Sequence, residues 1–276
     1  MKDKYFRLSD NFKAIINNAI PDKTIERMTL IPTGWTNIVY EVSTNDGNYF
    51  FRFPRDEFWS RTIVKDYEFT KFIHGKTNFN TIELQLFYDN ERPFSMHKKV
   101  EGTPLAEKMN DLNDEEVGII SNEIAEFMNE LHSIDYSKSK IFNTNNIGLK
   151  LKDFLDELLS VHITKTNRKF WDAIPINEEP NCLVHGDLNS SNILLDENNH
   201  IAAIIDFGFA GYGNKYDDVA RIIGRCPDKF KEKIVKSYES FSKFNLDEKT
   251  LDENIQTWSN IDNAYIGYMR KIGIYE

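Results

Sequence analysis

Apolar and polar positions follow two different rhythms on either side of Gly102-Thr103-Pro104. Before it, MTLIPTGWTNIVYEV at 28–42 predicts a strand, a turn around Gly34 and a second strand. Asn45-Asp46-Gly47-Asn48 predicts a hairpin turn, and YFFRF at 49–53 predicts a third strand that Pro54 ends. A helix is expected from Ser60, which can cap it. Ile63, Val64, Tyr67 and Ile73 lie broadly on one side, and Gly75 stops it. Two more strands are expected near 82–88 and 94–100. After the break, Val117, Ile120, Ile124, Phe127 and Leu131 recur at helical spacing. Asn113 with Glu116 three residues on has the form of a capping box at the start of that helix. Helices are also expected over 151–161, over 228–243 and from about residue 250. A sheet-rich first region and a helix-rich second make an α+β plan of two lobes, 1–97 and 98–276.

The segment LVHGDLNSSNILLDENNHIAAIIDFGFAG, residues 183–211, carries most of the chemistry. NILLD and IAAIID are short apolar runs, and ENNH at 197–200 between them is turn material. Antiparallel pairing about that turn matches residues whose numbers sum to roughly 397. Asn192 then lies almost opposite Asp206 at the open end of the hairpin, with Asp187 on the loop entering it. Three oxygen-bearing side chains converge there. A hard cation such as Mg²⁺ favours one or two protein carboxylates plus phosphate oxygens.

Charge and composition narrow the partners. The chain has 276 residues and a net charge of −10; residues 1–100 hold 15 Lys+Arg and 13 Asp+Glu, so the remainder is at −12. An acidic second half argues against nucleic acid and suits a cationic small molecule. The N-terminal MKDKYFRLSD leads into no apolar segment, and no apolar run approaches about 18 residues. The expectation is a soluble, cytoplasmic protein without membrane contact, a monomer or weak dimer. Cys182 and Cys226 are isolated, which fits a reducing compartment.

His185-Gly186-Asp187, Asn192 and Asp206-Phe207-Gly208 resemble the catalytic and metal-binding segments of kinases, in the form of the aminoglycoside phosphotransferase and choline kinase-like family. The resemblance implies a two-lobed protein-kinase-like fold and transfer of the γ-phosphoryl group of ATP or GTP to a hydroxyl. It makes Asp187 the catalytic group that receives or orients the hydroxyl proton, and Asn192 and Asp206 the ligands of Mg²⁺. His185 and His132 would be structural, and Asp218 would brace the catalytic loop. In the first lobe it assigns nucleotide contacts to the turn with Thr33, Gly34, Thr36 and Asn37, and to Arg52 held by Glu68 of the next helix. Backbone groups from His97 through Lys98 to Lys99 would meet the base. The acceptor would lie against Asp217 and a C-terminal set with Trp258, Asp262, Tyr265 and Tyr268. His-Gly-Asp, rather than His-Asn-Asp, favours an aminoglycoside over choline or ethanolamine, and leaves macrolide and sugar acceptors open. A protein kinase would carry Ala-Pro-Glu after Asp206, which is missing, and a non-catalytic binding module would show damage in a set that is intact. Gly75-Lys76-Thr77 imitates the end of a P-loop but has Thr70 where Gly is required.

Overall fold

A computed structural model describes residues 5–32, 34–136, 150–162 and 181–271. The chain divides into one unit of Met1–Phe72 and Ile82–Val100 and another of Ile73–Thr81 and Glu101–Glu276.

In the first unit, α1 (Phe12–Ala19) precedes β1 (Ile25–Ile31), β2 (Asn37–Thr44), β3 (Gly47–Pro54), α2 (Glu57–Ile73), β4 (Gln85–Asp89) and β5 (Arg92–Lys98). The strands form one antiparallel sheet in the order β1-β2-β3-β5-β4. The β2–β3 hairpin closes at Thr44↔Gly47, where Gly47 takes φ 138°. Phe53 anchors the core, with ring centroids 5.0 Å from Phe6, 4.8 Å from Phe12 and 5.0 Å from Phe94. The hydrophobic rhythm did not single out α1. Its Asn11 accepts from the Ala14 N–H, and it sets Phe12 and Ile16 into this core. The helix expected from Ser60 begins three residues earlier. Asp56 accepts from the Trp59 N–H at 2.9 Å, and the Ser60 hydroxyl donates to the Asp56 carbonyl instead of capping. Gly75, at φ 71°, follows the helix end.

The second unit is mainly helical: α3 (Leu105–Lys108), α4 (Asp114–His132), α5 (Leu151–His162), α6 (Lys215–Ile223), α7 (Asp228–Ser242) and α8 (Glu248–Lys271). Five short strands, β6 (Thr103–Pro104), β7 (Cys182–Val184), β8 (Ile193–Leu195), β9 (Ile201–Ile204) and β10 (Gly211–Gly213), form the sheets β6-β8-β9 and β7-β10. The capping box forms at Asn113 and Glu116, and Val117, Ile120, Ile124, Phe127 and Leu131 are all buried. The β8–β9 register is Ile193↔Ile204 and Leu194↔Ala203, the pairing that its turn predicted, before a shift at Leu195. The architecture is the expected α+β one, with a sheet-rich N-terminal region and a helical C-terminal one. No helix among the described residues is long and apolar enough to cross a membrane.

Candidate active site

The loop between β7 and β8 is held from α6. Asp218, fully buried near the start of that helix, accepts the His185 N–H at 2.8 Å and the Gly186 N–H at 2.9 Å. His132 Nε2 lies 3.1 Å from the same carboxylate, and its Nδ1 lies 2.7 Å from the Tyr238 hydroxyl. Burial alone would raise the Asp218 pKa. Its contacts with His132 and with the His185 N–H, and the proximity of the two imidazoles, outweigh that and hold the carboxyl below its usual range. His185 accepts the Asp187 N–H at Nδ1 (3.3 Å) and donates from Nε2 to the Ile205 carbonyl (3.0 Å). Gly186 sits at φ 76°, and a Cβ there would stand 2.5 Å from the Phe209 carbonyl oxygen. The glycine of His-Gly-Asp is therefore a steric requirement of this loop.

This bracing presents Asp187. Its Oδ1 accepts from Arg221 Nε (2.9 Å), Arg221 Nη2 (2.6 Å) and Asn189 Nδ2 (3.1 Å). Among the described residues its Oδ2 receives only a 3.4 Å approach from Asn192 Nδ2, which donates more closely, at 2.9 Å, to the Asp187 carbonyl. With its NH₂ turned to Asp187, Asn192 directs its amide oxygen the other way. The Ile205 N–H donates to the Asn192 carbonyl at 3.0 Å, which brings Asn192 beside the strand end that leads into Asp206. Asp206 adopts the left-handed conformation, φ 66° and ψ 67°. That costs a non-glycine residue roughly 1 kcal/mol or more and is characteristic of functional turns. An amide oxygen and a carboxylate are donors for a hard cation. No group of three or more His, Cys, Asp or Glu among the described residues could hold a metal. That donor set fits Mg²⁺ completed by phosphate oxygens.

Asp217 and Asp262, expected with Tyr265 at the acceptor, are both engaged within the second unit. Asp217 is 6% exposed and closes the capping box of α6 by accepting the Asn214 N–H at 2.7 Å. Its backbone carbonyl takes the Trp258 indole N–H at 3.1 Å. Burial, reinforced by neighbouring Asp218, pushes its carboxyl up to about 7. Asp262 accepts from Arg221 Nη1 at 2.6 Å and also pairs with Arg225. Tyr265 is buried. The side chain of Tyr268 lies outside the described residues. Asp217 therefore serves as a helix cap, and Asp262 as the second carboxylate on an arginine that already holds Asp187. Arg221, missed in the sequence, lies one turn beyond Asp218 and stacks its guanidinium 4.7 Å from the Trp258 ring centroid. Burial opposes its charge, but Asp187 and Asp262 more than compensate, and its pKa is raised.

In the first unit, the partner of Arg52 is Asp66 and not Glu68. Arg52 Nη1 donates to Asp66 Oδ2 at 2.6 Å. Residues two apart on a helix point about 200° apart, so only one can face β3. Asp66 is 1% exposed, while Glu68 Oε2 is buried without a partner among the described residues and burial raises its pKa. Gly34 makes a tight turn in which a Cβ would lie 2.4 Å from the Asn37 carbonyl oxygen, and its own carbonyl accepts from Arg55 Nε at 3.1 Å. Thr33 lies outside the described residues. Asn37 is turned inward, donating to the Thr36 hydroxyl at 2.8 Å. At the end of β5, the Lys99 N–H donates to the Asn48 carbonyl at 2.8 Å, and His97 pairs with Phe50. Backbone groups of successive strand residues point to opposite sides. His97 and Lys99 thus spend theirs on β3, and Lys98 directs its own to the other side, beyond the last β4 pair, Gln85↔Met96. The Lys98 carbonyl lies 3.0 Å from His97 Nδ1. The Lys99 ammonium pairs with Glu41 at 2.8 Å.

Comparison with known proteins identifies the family and the fold. A family model described as the phosphotransferase enzyme family, APH, matches residues 27–248. An aminoglycoside 3'-phosphotransferase from Acinetobacter baumannii is 24% identical over 204 residues, 68% of this chain and 76% of the relative. Among solved structures, the GDP and kanamycin complex of APH(2")-IIia superposes with a TM-score of 0.72 at 20% identity, covering 95% of this chain and 93% of that one. A macrolide 2'-phosphotransferase, MphH from Brachybacterium faecium, gives a TM-score of 0.64 at 15% identity, covering 95% and 93%. At these identities the superpositions establish the fold. The family match spans most of the sequence, from β1 into α8, and this chain belongs to the phosphotransferase enzyme family.

Proposed function

We propose that the chain is a kinase for a small molecule, moving the γ-phosphoryl group of ATP or GTP onto a hydroxyl, with an aminoglycoside as the acceptor. The observation that carries this is the asymmetry of Asp187. Three donors saturate Oδ1, and Oδ2 keeps the capacity to accept a hydroxyl proton. Asn192 and Asp206 are the proposed Mg²⁺ ligands; when bound, the ion would neutralise charge on the phosphates. Arg52, steadied by Asp66, is the proposed cation for the nucleotide phosphates, and the Lys98 backbone the proposed contact for the base. Gly34 and Thr36 serve this reading through their backbones. The aminoglycoside assignment is supported by the names of the relatives and by the net charge of −12 in residues 101–276. The activity belongs in the cytoplasm, where nucleotide is abundant and where the free thiols of Cys182 and Cys226 persist.

The test is transfer from ATP and from GTP, with Mg²⁺, to a panel of aminoglycosides, macrolides, choline and sugars. Phosphorylated aminoglycoside is expected, abolished by Asp206→Ala and reduced about 10²- to 10⁴-fold in kcat by Asp187→Asn. Transfer to a macrolide alone would move the acceptor class. Full turnover in Asp206→Ala would remove the metal assignment.

A further inference from the structure

We propose that Arg221 is a positioning residue of the phosphotransfer site: it fixes which oxygen of Asp187 meets the acceptor hydroxyl, and Asp262 on α8 fixes Arg221. The inference rests on the reading of Asp187 as the group that receives the hydroxyl.

A carboxylate on its own offers two equivalent oxygens and turns freely about its last bond. Here that freedom is removed. Arg221 is 7% exposed and directs both Nε and Nη2 at the single oxygen Oδ1. Its remaining terminal nitrogen, Nη1, is held by Asp262. A guanidinium is rigid and planar, so the three contacts fix its orientation together. The Trp258 ring, 4.7 Å from the guanidinium carbon, confines that plane from one side. Asp187 can turn Oδ1 toward the acceptor only by breaking two charge-assisted bonds.

The same helix holds the main chain and the side chain of the catalytic loop. Asp218 takes the N–H groups of His185 and Gly186, and Arg221, three residues later on the neighbouring turn, takes the carboxylate of Asp187. Arg225 balances Asp262, so two arginines and two carboxylates are brought together without net charge. Asp262 thereby links the C-terminal helix α8 to the reacting oxygen. A change in α8 at Asp262 is expected in kcat and not in acceptor binding.

The test uses the full chain with Arg221→Ala, Arg221→Lys and Asp262→Asn. Misplacement of a reacting group by about 1 Å can cost on the order of 10²-fold in rate, and a loss of that size in kcat is expected for Arg221→Ala. Both KM values should stay close to wild type. Millimolar guanidinium should restore turnover in Arg221→Ala, whereas Arg221→Lys, which keeps the charge but not the fork, should stay slow. Wild-type kcat in Arg221→Ala, or a loss confined to acceptor KM, overturns the proposal. If Arg221→Ala does not fold, Asp262→Asn keeps both Arg221 and Asp187 but loosens the guanidinium at Nη1, and with it the grip on Oδ1; there, a lower kcat at unchanged KM supports the proposal, and an unchanged kcat overturns it. Crystal structures of the wild type and Asp262→Asn need no turnover. A second Asp187 rotamer is expected in the variant, and a single unchanged rotamer overturns the inference. Should the rotamer move while the wild type phosphorylates no acceptor, the positioning stands and the phosphotransfer reading fails.

Discussion

Arg52 on β3 and Asp66 on α2 form an ion pair of 2.6 Å with both side chains largely withdrawn from solvent. Removing one partner of a buried pair costs up to about 3 to 5 kcal/mol. Asp66→Ala should lose stability on that scale in urea unfolding, and nucleotide KM should rise as Arg52 loses its aim. Glu68→Gln removes a carboxylate whose Oε2 has no partner among the described residues, and should be near neutral in both measurements. Equal nucleotide KM increases in the two variants would show that the pairing does not govern phosphate binding.

Asp217 makes stability depend on pH in an unusual direction. Burial raises its folded pKa from the ordinary 3.8 to about 7. Between those values the folded chain holds a proton that the unfolded chain has released. This contribution to stability is therefore full below about pH 4 and is lost as pH rises toward 7. Asp217→Asn keeps an oxygen for the Asn214 N–H and removes the titration. Its melting temperature should vary less than the wild type's from pH 4 to 7. Parallel curves would show that Asp217 does not titrate there.

How much of this was legible follows from the distance over which each feature is decided. The β8–β9 register was readable because turn and apolar runs lie within one short stretch, and the α4 capping box because its two residues are three apart. The eight residues of α1 make about two turns, too few for a decisive period. Its signal was Asn11 followed by Phe12, Ile15, Ile16 and Ala19. The choice of Asp66 over Glu68 depends on how α2 is rotated against β3, which local pattern does not specify. Arg221 reaches Asp187 and Asp262, which are 34 and 41 residues away, so nothing near it in sequence announced its role. The same long-range pairing engages Asp262, which net charge had suggested for an acceptor.

Long-range attraction of a cationic acceptor should nevertheless survive, because it depends on the sum of charges. Residues 101–276 carry −12. Screening shortens the reach of that field to about 10 Å at 0.1 M salt. Acceptor KM should rise across a salt series while nucleotide KM changes less. A flat acceptor KM would reject the electrostatic contribution and leave the assignment of Asp187 untouched.

Gly186 gives the sharpest local test of the proposed catalytic loop. Its φ of 76° is strained for any residue with a side chain, and a Cβ would approach the Phe209 carbonyl oxygen to 2.5 Å and its carbon to 2.9 Å. Both obstacles are backbone, so rotation of a side chain cannot relieve them. Gly186→Ala must therefore shift the loop, and the first bonds to stretch are those from His185 and Gly186 to Asp218. Backbone strain of this kind costs about 1 to 3 kcal/mol. The melting temperature should fall accordingly, and kcat should fall further than stability accounts for, because Asp187 is the next residue along. The comparison is kcat measured well below the melting transition, where nearly all of the variant is folded. Wild-type kcat under those conditions would show that the loop tolerates the displacement and that Asp218 does not set the position of Asp187.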